Sequence, residues 1–411
     1  MPPNGIKIAI AELQPGQVLT TPLHDAEGLL LLAAGAIIRQ DDLLLLAKRN
    51  IVCGYMNDPL SAPAGSPREV RRELEAKIPD PSVCVVPVSG QAGSPRPILS
   101  PADYRAEVSA GTDECRKAID SFQGIASDIR CGKLRTAQAP EELVRRFLGI
   151  LSKDRDLLPA ITGIREAGEE YLFIHSVKVA MLSITAGEAL GLSGSQLMEL
   201  GIGAMLMDIG MLKVPQDLRL ARRDLNTRER CEIQRHPTYT LDMLEKMAGI
   251  TPSMMYVGYQ SHERSDGSGY PRKRSKMLMH TYARIAAIVD TYMAMTSERP
   301  YRPAFTPYES MKTLLQLGAR DKFDRTILRA FLDRLSMFPV GSHIGLSTGD
   351  IARVVRPNAS AHTRPVVAIV LPDGTEQDRF VDLMRTPDIQ VINTFGSHPP
   401  IRNTPSILQN A

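Results

Sequence analysis

Apolar and polar positions divide the chain into three regimes. In the first, Ile6, Ile8 and Ile10 alternate with Lys7 and Ala9, which predicts a strand. A turn at Leu13–Leu19, a short strand or two within Gly28–Ile38, a helix over 41–50 and a last strand at 51–56 complete a small β-rich module over residues 1–57, with His24 in a turn. Prolines, glycines and serines then recur through 58–103, predicting a flexible or semi-extended linker. It is interrupted by the charged run EVRRELEAKI, read as a short solvated helix.

The second regime has a helical period. Residues 104–160 read as amphipathic helices that pack on a bundle or pair with a second subunit, and 161–337 as the bundle itself. There His175, Val179, Leu182 and Ala186 fall at three- and four-residue steps on one apolar stripe. Asn226 with Glu229 reads as a capping box opening a helix that holds His236. The third regime returns to alternation: 338–397 reads as a β-rich module with a turn at Pro372-Asp373-Gly374, and 398–411 as a disordered tail. The fold expected is mainly α, a helical bundle flanked by small β-rich modules.

Composition narrows the function classes. A chain of 411 residues that is 43% hydrophobic has material for two to four domains. A net charge of +3 gives no bulk attraction to nucleic acid or anionic membrane. The five cysteines form no CxxC, which suits a reducing cytoplasm rather than a disulfide framework or zinc ribbon. The N-terminus lacks the pattern of a leader, and Gly28–Ile38 is too short to span a bilayer, so a cytoplasmic location is expected.

Chemistry concentrates in the bundle. The stretch QSHERSDGSGYP, Gln260–Pro271, sets one histidine, three formal charges and two glycines beside thoroughly apolar helices. Asp208 ends one nearly all-apolar helix and Asp290 sits in the middle of another, and a buried carboxylate needs a cation, a basic partner or a metal. With His175, His236 and His262 they make a mixed imidazole and carboxylate set suited to a divalent ion such as manganese, iron or zinc, aimed inward from separate helices. Another account stays open: buried His–Asp hydrogen bonds without metal, with Met207 and Met211 completing an apolar core.

The order His175, MDIG (207–210), RHP (235–237), SHERSDGSGYP, RIAAIVD ending at Asp290 and TSERPYR ending at Arg302 resembles the HD-GYP family. The resemblance implies metal-dependent hydrolysis of cyclic di-GMP, with Asp208 as the bridging catalytic carboxylate and iron or manganese, one ion or none, on His175, Asp208, His236, His262 and Asp290. Arg222, Arg223, Arg264 and Arg302, with Lys213, are the expected phosphate contacts. Gly269, Tyr270 and Pro271 are the expected docking loop for GGDEF-domain proteins; a structural turn with Tyr270 packed on the bundle is the other reading. The chain departs from the family where Met207 and Ser261 replace histidines, Met211 a lysine and Met293 an aspartate, and where Arg222 and Arg223 stand near an absent Lys-Pro-Gly. Thioether and hydroxyl are poor substitutes for imidazole, so weak or lost hydrolysis and a regulatory role are expected; an active phosphodiesterase with an incomplete ligand set is the alternative.

Overall fold

The computed structural model describes residues 100–162, 171–298, 303–358 and 361–395, and before residue 100 isolated stretches, chiefly 6–10, 23–24, 30–32 and 53–56. In the N-terminal part, β1 (Ile6–Ala9), β2 (Leu23–His24), β3 (Leu30–Leu32) and β4 (Cys53–Met56) form an antiparallel sheet of order β1-β4-β2-β3. His24, expected in a turn, lies in β2 opposite Tyr55.

Helices follow: α1 (Pro101–Arg130), α2 (Gln138–Lys153), α3 (Leu157–Thr162), α4 (Tyr171–Ala189), α5 (Gly194–Leu206), α6 (Gln216–Arg219), α7 (Thr227–Ile233), α8 (His236–Leu244), α9 (Pro252–Gln260), α10 (Thr281–Thr296), α11 (Pro307–Ala319) and α12 (Arg325–Leu335). The first opens at Pro101, three residues ahead of the expected boundary, because the Ser100 side chain accepts from the Asp103 N–H and proline suits the first turn. The Asn226 capping box is formed: the Asn226 side chain accepts from the Glu229 N–H at 3.0 Å and Glu229 accepts from the Asn226 N–H at 2.9 Å.

At the centre lies α4, in which every residue from His175 to Gly187 is buried. It is long and apolar enough to cross a membrane by length and composition, but its surroundings here are α1, α3, α5, α10 and α12. One large apolar core unites these helices. Part of the expected linker belongs to that core. Arg71 and Leu74, within the run read as a solvated helix, are helical; Leu74 is fully buried, and Arg71 pairs with Asp242 at 2.7 Å and Glu245 at 3.1 Å. Among the described residues of this run, Leu74 burial and the Arg71 ion pairs fix to the bundle a segment whose charges suggested solvent.

After α12 the chain forms an antiparallel sheet of order β8-β7-β6-β5-β9, from β5 (His343–Leu346), β6 (Ile351–Arg356), β7 (Val366–Val370), β8 (Glu376–Asp382) and β9 (Val391–Phe395). Tyr104 of α1 and Ala160 of α3 pack with Val355, Val366 and Ala368 of this sheet. Arg356 of β6 reaches Asp154 at 2.6 Å, so the β-rich end is joined to the bundle by both apolar packing and a half-buried ion pair.

His280 begins the helix that carries Asp290. Its Nδ1 accepts from the Tyr282 N–H at 3.2 Å and its ring stacks on Tyr256 with centroids 5.2 Å apart. Burial, then the charge of Arg284, push its pKa from 6.5 down to about 3. The folded state therefore binds fewer protons than the unfolded state between these values, and stability is lost as pH falls below about 6.5. His280→Asn keeps an N-cap acceptor and removes the titration. Urea unfolding of both proteins should show the wild-type advantage at pH 7.5 shrinking by about 2 kcal/mol at pH 5; a gap independent of pH would contradict the assignment.

Candidate metal centre

Five elements each contribute one side chain. The second turn of α4 carries His175, the start of a 3-10 helix after α5 (Ile209–Lys213) follows Asp208, α8 opens with His236, the end of α9 leads into His262, and α10 carries Asp290. Close approach of α8 to Asp208 depends on Gly210. Its N–H donates to Thr240 Oγ1 at 3.0 Å, and that hydroxyl donates to the Met207 carbonyl at 2.9 Å.

The five fall into two groups that share one carboxylate. Ligand atoms of Asp208, His236 and His262 lie within 4.8 Å of one another, and so do those of His175, Asp208 and Asp290. Asp208 Oδ1 is 3.3 Å from both His236 Nε2 and His262 Nε2, and its Oδ2 is 4.0 Å from His175 Nε2. His175 Nε2 is 2.9 Å from Asp290 Oδ1, and the two facing nitrogens of His236 and His262 are 2.8 Å apart.

The donor chemistry fits a divalent ion. His236 Nδ1 lies 2.8 Å from the Ile233 carbonyl, an acceptor only, so Nδ1 carries a proton and Nε2 is the nitrogen that faces Asp208. The Tyr171 hydroxyl, which can donate or accept, lies 2.9 Å from His175 Nδ1 and orients that ring. Burial alone would raise the Asp208 carboxyl, but hydrogen bonds and charge from His236 and His262 outweigh it and hold the group well below the usual carboxylate range. Asp290 is likewise lowered: burial and Asp208 oppose, while the His175 hydrogen bond and the charges of His262 and His175 prevail. Two anionic carboxylates thus stand among three imidazoles, a borderline-hard set.

Glu263 anchors the loop beside them. Its buried carboxylate accepts from the Arg272 N–H at 2.6 Å and the Arg274 N–H at 2.9 Å. Gly269 lies directly over the chain it leaves, for a Cβ there would sit 2.5 Å from the His262 carbonyl oxygen and the Glu263 Cα. The loop consequently turns Tyr270 inward. Its ring stacks on His262, centroids 5.0 Å apart and planes 6° from parallel, and burial followed by the Asp208 and Asp290 charges raises its pKa. Gly269 is buried, and Tyr270 and Pro271 are half-buried, so the packed-turn reading of this loop matches its placement.

Above the ligands opens a cavity of about 2030 Å³, with His175, Asp208, His236, His262, Tyr270 and Asp290 among its lining residues. Arg222 and Arg223 line it too, but Arg223 is held by Glu229 at 2.7 and 2.8 Å. Arg264 does not line it: the guanidinium donates to the Glu263 carbonyl at 2.9 Å and lies over the Phe323 ring. Lys213 turns to Asp242 at 3.8 Å and Tyr239. Arg302 is outside the described residues. Of the substituted positions, Met211 and Met293 line the cavity, Met207 is buried in the main core, and Ser261 is fully buried with no hydrogen-bond partner for its hydroxyl.

Lys178 escaped the sequence reading. It lies one turn beyond His175 on α4, is 5% exposed and lines the cavity. A lysine inside an otherwise apolar helix, spaced three residues from a candidate ligand, was the available signal.

Residues 164–327 match the HD domain family model. Among curated relatives, a cyclic di-GMP phosphodiesterase of Pseudomonas aeruginosa, PA4108, is 26% identical over 288 residues, covering 70% of this chain and 68% of its own. The cyclic di-GMP phosphodiesterase PdeB of Borreliella burgdorferi is 24% identical, covering 53% of this chain and 56% of its own. A 3'3'-cGAMP-specific phosphodiesterase of Vibrio cholerae is 33% identical over 154 residues, 38% of this chain and 36% of its own. Among solved structures, Bd1817, an HDG"Y"P protein from Bdellovibrio bacteriovorus, aligns over 80% of this chain and 99% of its own with a TM-score of 0.43 and 15% identity.

Proposed function

We propose that the HD domain formed by residues 164–327 holds divalent metal on His175, Asp208, His236, His262 and Asp290 and binds cyclic di-GMP in the cavity above them, with phosphodiester hydrolysis slow or lost. The observation that carries this reading is the convergence of five ligand side chains from five elements on a shared Asp208 beneath a cavity with several cationic side chains in its walls. The relatives' names supply the nucleotide.

Metal held there supplies Lewis acidity toward a phosphodiester and acidity to water. The chain's own residues do the rest. Asp208 stays anionic into acidic pH, the Ile233 carbonyl fixes the His236 tautomer, and Tyr270 covers one face of the His262 ring. Lys178 and Arg222 offer positive charge to a phosphate. Slow turnover follows from what the walls lack. Met211 presents a neutral thioether where the resemblance places a lysine, and a charge at a developing phosphorane is a large lever on rate. Met207 and Ser261 bring no imidazole.

A second reading, an active phosphodiesterase, has its own support: each group of three protein ligands leaves coordination positions open, as catalytic metal sites do, and Lys178 places a buried cation in the cavity. Docking of a GGDEF-domain partner on Gly269, Tyr270 and Pro271 has less support, because the tyrosine packs on the imidazoles.

Elemental analysis and cyclic di-GMP hydrolysis with added manganese or iron separate the readings. Expected are about one ion per chain or fewer, binding without rapid turnover, and turnover at least about 100-fold faster in a Met207→His, Met211→Lys, Ser261→His triple variant. About two ions with rapid wild-type turnover would establish the second reading; neither metal nor nucleotide binding would end both.

A further inference from the structure

The arginines lining the cavity divide into two kinds. Arg105, Arg223 and Arg353 are each paired with a carboxylate, of Asp378, Glu229 and Glu376 respectively. Arg130 at the end of α1, Arg219 at the end of α6 and Arg222 just beyond line the same cavity, and none of them has an ion pair or hydrogen bond among the described residues. Arg219 Nε is buried without any partner, an uncommon condition for a strong donor.

We propose that Arg130, Arg219 and Arg222 form an anion subsite, apart from the metal ligands, that takes the second phosphate of the cyclic dinucleotide. The proposal rests on the reading of the cavity as a cyclic-dinucleotide site. It draws on one feature of the ligand class: two phosphodiesters on opposite sides of one ring, so that a phosphate over Asp208 leaves its twin facing another wall. The 3-10 helix Ile209–Lys213 leads from Asp208 toward α6, and Met211 and Leu212 line the cavity on the way.

Electrostatics favour this use. Burial, then the like charge of Arg130, lower the Arg219 pKa, so the two guanidinium groups are close enough to oppose one another. Arg219 is half-buried while Arg130 and Arg222 are exposed, and an anion among them relieves the repulsion between Arg130 and Arg219 while satisfying the orphaned Nε. Arginine also suits phosphate geometrically, since its planar fork meets two oxygens. The cluster replaces the Lys-Pro-Gly stretch that the resemblance leads one to expect and this chain lacks. Two of its members, Arg130 and Arg219, come from helix ends that lie 89 residues apart along the chain.

The test titrates the full chain with cyclic di-GMP and, in parallel with EDTA present, with inorganic pyrophosphate, which needs neither metal nor a base pocket. Arg130→Ala, Arg219→Ala and Arg222→Ala are expected to weaken cyclic di-GMP binding about tenfold each and the triple variant at least about 100-fold, with a shallower salt dependence. Arg228→Ala, exposed and away from the cavity, is the control and should bind as wild type. Pyrophosphate binding that vanishes in the triple variant supports the subsite. If it does so while the wild type ignores cyclic di-GMP, the dinucleotide reading fails and the anion site stands. Cyclic di-GMP binding unchanged within twofold in the triple variant, or no arginine-dependent binding of either probe, overturns the subsite.

Discussion

Asp208→Ala is expected to abolish metal binding, lowering metal content to a background level and apparent affinity by at least about 100-fold. Asp208 is the sole member common to both ligand groups, so its loss reduces His236 with His262 to one pair and His175 with Asp290 to another. Two protein ligands are fewer than the three that metal sites with an open position retain. Asp208→Asn sharpens the experiment by keeping side-chain volume and an acceptor for the His236 and His262 rings while removing the charge. Its thermal melt without metal should stay close to wild type, and its metal content should fall as far as that of the alanine variant. An asparagine variant that still carries metal would show that the ion sits elsewhere. A protein free of metal in both wild-type and variant forms would leave the His–Asp contacts as hydrogen bonds of the core.

Gly210→Ala is expected to be the most damaging single methyl in the bundle. A Cβ at this position would lie 2.2 Å from the His236 carbonyl oxygen, 2.4 Å from the Thr240 nitrogen and 2.7 Å from Thr240 Oγ1. Two of these are backbone atoms of α8, which cannot move aside as a flexible side chain does. The helix must shift, and it carries His236 away from Asp208. Overpacking against backbone is expected to cost about 3 kcal/mol or more, a drop of about 6–12 °C in Tm for a domain of this size. Metal affinity should fall in the fraction that still folds. Gly124→Ala makes the matched comparison: it lies inside α1 with nothing within 4 Å of the added Cβ, so it should be neutral or stabilising by about 0.5–1 kcal/mol. Equal melts for the two variants would remove the steric explanation for the approach of α8.

Some features were legible because they are local. The Asn226–Glu229 capping box needs only residues three apart and forms, although the helix it opens ends at Ile233 and His236 starts the next one rather than lying within it. The apolar stripe through His175 and the apolar run around Asp290 are periodic patterns within single helices, and chemistry on such faces stands out. The alternating segments after residue 340 became the strands of a five-stranded sheet for the same reason. The charged run holding Arg71 and Leu74 misled because its composition is polar while its two described residues are tied to the bundle, Leu74 by burial and Arg71 by ion pairs.

Side-chain reach was not legible. Arg222 and Arg264 look equivalent in the sequence, yet Arg222 lines the cavity and Arg264 folds back on its own loop carbonyls. Lys213 stands two residues from Met211 but pairs with Asp242, whereas Lys178, on another helix, lines the cavity. By itself the sequence determined the helical bundle, its β-rich flanks, the five candidate ligands and the substitutions at Met207, Met211 and Ser261. Only the tertiary structure decided that both ligand groups share Asp208, that Tyr270 faces the imidazoles, and that Arg130 and Arg219 line one cavity. The physical reason is range: period and capping are properties of neighbouring residues, while the direction of a long side chain and the approach of two helices depend on everything packed around them.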